Sequence, residues 1–70
     1  MYHVIVSNNK NVIAEEVLDG LADAVTFGRM NSVEGNVIHI YSAIQDATGN
    51  IMHLDLILSL VMPKEYHKVT

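Results

Sequence analysis

The chain has 70 residues, four lysines and arginines against eight aspartates and glutamates, and no cysteine. Its mass of 7.8 kDa sets the scale of one domain, with about 60% of the unfolded surface buried on folding. Half of its residues are hydrophobic and only 17% are charged, which excludes disorder; lack of cysteine excludes a disulfide framework, a thiolate metal site and a cysteine nucleophile.

The net charge is −4. Lys10, Arg29, Lys64 and Lys68 are scattered through the sequence. Direct nucleic-acid binding draws on clustered basic residues, so it is not expected. Met1 to Val6 lacks the basic start and cleavage site of a signal peptide. The most apolar stretch, Ile51 to Met62, includes His53, Asp55 and Ser59 and falls short of the roughly 20 residues that span a bilayer. A cytoplasmic protein without membrane contact is the expectation.

In chain order, Tyr2 to Ser7 is β-branched and short and predicts a strand. Asn8-Asn9-Lys10-Asn11 breaks it and offers caps to a following helix. Asn11 to Phe27 then fits an amphipathic helix: Ile13, Ala14, Val17, Leu18, Leu21, Ala24 and Val25 fall within an arc of roughly 140°. Glu15, Glu16, Asp19 and Asp23 fall on the far side. Gly20 borders the apolar arc, where it allows close approach to a sheet; Asp19-Gly20 read as a break is the alternative. Gly28 is placed to end the helix.

Residues 36–45 and 51–62 predict two further strands around Asp46-Ala47-Thr48-Gly49-Asn50, and 63–70 a polar tail. A three-residue loop with a left-handed Gly49 pairs Ile44 with Met52, Ser42 with Leu54, Ile40 with Leu56 and Ile38 with Leu58. The expected fold is therefore α/β (α+β), a two-layer sandwich of order β-α-β-β. One helix covers a three-stranded, mostly antiparallel sheet, the last strand lying between the other two.

The second face would carry Val37, His39, Tyr41, Ala43 and Gln45 beside Ile51, His53, Asp55, Ile57 and Ser59. Val37, Tyr41, Ile51 and Ile57 would be exposed in a monomer, and the last strand is long for so small a domain, so a two-fold homodimer is expected with these four at its interface. His39 and His53 with Tyr41 and Asp55 have the proximity for part of a metal site, with further ligands from His3 or a second subunit. Their spacing matches no ligand motif, and solvent-facing polar residues are the simpler account. No serine sits in a nucleophile elbow, and Gly20, Gly28, Gly35 and Gly49 are isolated rather than a phosphate loop. No enzyme activity, cofactor or metal is expected.

The row Glu15, Glu16, Asp19 and Asp23 would place carboxylates about 6 Å apart along a helix, near the spacing of successive phosphates. The sequence thus points to a small acidic binding protein that occupies the basic surface of a partner, as a nucleic-acid mimic inhibiting a DNA-binding protein does, phage-encoded inhibitors among them. The same row is also what the solvated face of any amphipathic helix looks like. In the order strand, helix, strand, strand the chain resembles dodecins, small flavin-binding proteins that assemble into hollow shells. That resemblance implies oligomeric ligand storage, although dodecins set a tryptophan against the flavin and here only Tyr41 stands on the second face. A third reading is a self-assembly module joined through Val37, Ile51 and Ile57.

Overall fold

The computed structural model describes residues 1–63. Five elements follow one another: β1 (Tyr2–Asn8), β2 (Asn11–Leu18), α1 (Leu21–Met30), β3 (Val37–Gln45) and β4 (Ile51–Val61). The strands form one open sheet in the order β2-β1-β3-β4, every neighbour antiparallel. The fold is α+β, with chain order β-β-α-β-β. The polar tail expected over 63–70 lies, beyond Pro63, outside the described residues.

The main correction falls on residues 11–27. The first part of that stretch is a strand, and the helix starts only at Leu21. Asn9 and Lys10 have φ of 49° and 71°, both left-handed, and Asn8 pairs with Asn11. Two consecutive left-handed residues make the tight hairpin turn that matches the twist of the flanking strands. Val12, Ile13 and Val17 are β-branched, which suits a strand better than a helix. Helical and strand periodicities coincide over so short a run, and the β1 backbone decides between them. Asp19-Gly20 is the break, and Gly20 is the extended residue before the first helical turn.

The helix runs past Gly28 to Met30. Asp23 in its first turn and Arg29 in its last suit the helix dipole. Asn31 closes the end, its backbone N–H and its side-chain amide both donating to the Phe27 carbonyl at 3.1 and 2.8 Å. Gly28, rather than Gly20, is the point of close approach: a Cβ there would lie 2.8 Å from Ile38 Cγ2 and 3.4 Å from Val4 Cγ1. Around that contact Val4, Val6, Ala24, Ile38, Ile40 and Met62 are buried together.

Because β2 adds a strand before the helix, β1 pairs directly with β3, Val4 facing Ile40 and Val6 facing Ile38. The last strand therefore lies at an edge instead of between the other two. The β3–β4 turn has the expected form. Gly49 has φ +90°, its N–H donates to the Asp46 carbonyl, and the Asp46 N–H donates to the Asn50 carbonyl. Ile44 pairs with Met52 as anticipated. Two bulges then shift the register, setting Asp55 opposite Ser42, Leu56 opposite Tyr41, Leu58 opposite Ile40 and Leu60 opposite Ile38. At the first of these the Ser42 hydroxyl accepts from the Asp55 N–H at 3.1 Å.

A helix of 10 residues is about 15 Å long, against a longest dimension of 42 Å. It packs on β1, β2 and β3. Ile44, Met52, Leu54 and Leu56, expected beneath a longer helix, are exposed. No helix among the described residues is long and apolar enough to cross a membrane.

Candidate functional site

The face of the sheet away from the helix carries a row of side chains, rings from three strands and a carboxylate from the fourth. Glu15 comes from β2, His3 from β1, His39 and Tyr41 from β3, and His53 from β4. His3 stands opposite Tyr41, and His53 opposite Ala43. His53 nevertheless reaches across β3, bringing its Nε2 to 2.8 Å from His3 Nδ1. Strands two places apart are about 9.6 Å from one another, so the intervening position must be small. Ala43 fills it and is buried.

On its other side His3 Nε2 lies 3.0 Å from Glu15 Oε2. An ionised carboxylate only accepts, so the proton of this hydrogen bond sits on His3 Nε2. In the neutral imidazole that leaves Nδ1 with its lone pair aimed at His53. His53 also stacks on Tyr41, with ring centroids 4.1 Å apart and planes 3° from parallel; His39 stacks more loosely on the far side of Tyr41, at 6.3 Å. Among the described residues no group of three or more histidine or acidic side chains is arranged around a common metal position.

The expected neighbourhood of His39, His53 and Tyr41 is thus present on one face. Asp55 is not part of it, because the bulge at Leu54 moves it opposite Ser42. The member that joins the cluster at hydrogen-bonding distance is His3, whose place depends on the antiparallel β1–β3 register. In the sequence His3 stands only as one source of a further ligand, because faces of separate strands can be matched only once their register is known.

The acidic row is not a helical ladder. Glu15 and Glu16 are neighbours on a strand and point to opposite faces, Asp19 is in the bend, and Asp23 is in the first turn of α1. Of the interface residues expected on the second face, Val37, Tyr41 and Ile51 are half-buried and Ile57 is exposed at the bulge. Sequence reasoning did not single out the exposed side chains of Met52, Leu54, Leu56, Leu60 and Val61 along β4. Their alternation reads as a strand with one buried face, and nothing local tells that the helix stops short of it.

No known protein family, curated protein or solved structure matches the chain.

Proposed function

We propose that the protein is a small non-catalytic binding protein that works as a two-fold homo-oligomer joined along β4. The observation that carries this reading is the exposure of an apolar edge strand of 11 residues, Leu54 being 57% and Val61 63% accessible. Edge strands are normally blunted by lysine, proline or short length. β4 contains no lysine, arginine or proline, and Asp55 is its one charge. Asp55 and the two bulges are the only such devices in it.

Beyond Ser42 the β1–β3 ladder ends, and β3 and β4 continue as a two-stranded arm that carries Ile44 and Met52 and closes in the Asp46–Asn50 turn. A two-stranded ribbon is marginally stable by itself in water. A second copy set antiparallel along β4 supplies a further strand and covers the same leucines on both chains, which is the self-complementary geometry of a two-fold interface. In sedimentation analysis the chain is expected at twice 7.8 kDa, and the variant Leu54→Lys/Leu56→Lys at the single mass. A native chain that sediments as a monomer at all concentrations defeats the reading.

A second reading concerns the opposite edge. Glu15 and Glu16 on β2, Asp19 in the following bend and Asp23 in the first turn of α1 all belong to the end of the sheet order away from β4. That edge suits a basic partner protein, a DNA-binding protein being one with the required surface charge. Support comes if a basic DNA-binding protein is recovered by the native chain but not by a form with all four groups changed to glutamine or asparagine. Equal recovery by both removes it. The dodecin resemblance is not carried further, since the order β-β-α-β-β departs from the arrangement that suggested it.

A further inference from the structure

We propose that His3 and His53 form a two-nitrogen site for a divalent late-transition-metal ion, Cu²⁺ or Ni²⁺, on the open face of the sheet. The inference stands apart from oligomerisation and rests on three observations. First, His3 Nδ1 and His53 Nε2 face each other at 2.8 Å. Imidazole nitrogens bound at about 2.0–2.1 Å lie about 2.9 Å apart when they are cis at 90°, and about 3.3–3.4 Å apart around a tetrahedral ion. A cis pair on a tetragonal Cu²⁺ or Ni²⁺ ion needs the two nitrogens hardly farther apart than they are, with both lone pairs turned from each other towards the ion.

Second, Glu15 holds the opposite nitrogen of His3 at 3.0 Å. A carboxylate accepting from the far N–H of an imidazole fixes the tautomer, presents the other lone pair and raises ligand basicity. Third, the position of His53 is set by the small, buried Ala43 beneath its path and by the flat stack on Tyr41. Ligands held by packing lose less rotamer freedom on binding than free side chains do.

The same 2.8 Å separation also suits a hydrogen bond from His53 Nε2–H to His3 Nδ1. In that state metal binding moves the His53 proton from Nε2 to Nδ1, and both rings bind as neutral imidazoles. The test is calorimetric titration of the full chain with CuCl₂ and with NiCl₂, using protein with a blocked amino terminus so that the chain end cannot chelate through His3. The expected result is one ion per chain, bound more tightly for Cu²⁺ than for Ni²⁺. Uptake should be lost in His3→Ala and in His53→Ala and kept in His39→Ala. Glu15→Gln should weaken it about 10- to 100-fold. Ala43→Leu, which retains every ligand, should weaken it by separating the rings. Circular dichroism establishes that each variant is folded. No uptake by the native chain, or full uptake by folded His53→Ala, overturns the proposal and leaves the pair as a hydrogen bond.

Discussion

The two edges of the sheet differ in almost every respect that decides how a strand meets its surroundings. β2 is shorter, carries Glu15 and Glu16, is joined to β1 by a two-residue turn and packs on the core through Ala14 and Leu18, while Val12 and Ile13 are exposed. β4 is longer, has one charge, and is exposed along most of its length. Charge on an edge repels a second strand, whereas an apolar edge with free N–H and C=O groups invites one. The proposed self-association along β4 and the second reading of a basic partner at β2 both rest on this difference in charge across the order β2-β1-β3-β4. Between them β1 and β3 carry the core, which lets the edges differ without loss of fold.

The largest effect should come from the centre. Ile40 is fully buried between β1 and β4, and Ile40→Ala should cost about 2–5 kcal/mol in urea unfolding. The same truncation at Leu54, exposed on the edge, should change monomer stability by no more than about 0.5 kcal/mol while weakening assembly. Similar losses at both sites would break the division between centre and edge.

Gly28→Ala comes next. The new methyl meets Ile38 Cγ2 at 2.8 Å, and overpacking of this kind costs about 1–3 kcal/mol, read from the thermal midpoint. A neutral result would mean that the helix lifts from the sheet at little cost.

At the β2 edge, Lys10 has φ 71°, a conformation that costs a non-glycine residue roughly 1–2 kcal/mol. Lys10→Gly relieves this and gives back part of it in chain entropy, so stability should rise by about 0.5 kcal/mol in denaturant titration. A fall would show that the lysine side chain contributes to the edge.

The smallest effect lies at the tip of the β4 arm. Asp46 Oδ1 accepts from the Thr48 hydroxyl, the Asn50 N–H and the Thr48 N–H, and these bonds hold its carboxyl below the ordinary aspartate value. A lowered folded value means that the contribution is present above the ordinary aspartate value and is lost as pH falls through the folded one. NMR titration of the Asp46 carboxyl should give a midpoint below that of an unstructured aspartate, with turn signals changing together with it. An ordinary midpoint would mean that the turn is held by its backbone alone.

Much of this molecule was legible from local chemistry. The first strand, the two last strands and the left-handed Gly49 turn follow from β-branched runs and from a loop whose Asp46 and Gly49 each have a specific task. So does the presence of His39, Tyr41 and His53 on one face, because strand alternation fixes it. Residues 11–18 were not legible. Their apolar positions fit a helical arc, and the hairpin depends on left-handed Asn9 and Lys10, where the usual glycine is lacking.

That one element governed the rest. With β2 in place the helix is short, the acidic residues leave their row, β1 meets β3 antiparallel, and β4 becomes an edge. The contact between His3 and His53, 50 residues apart, could be fixed only by that sheet order together with the size of Ala43. The sequence by itself determined which residues prefer extended backbone, where the chain turns and which side chains alternate, because these depend on neighbours a few positions away. The tertiary structure alone decided which apolar face was covered and which rings met, because burial and cross-strand contact depend on the strand that arrives alongside.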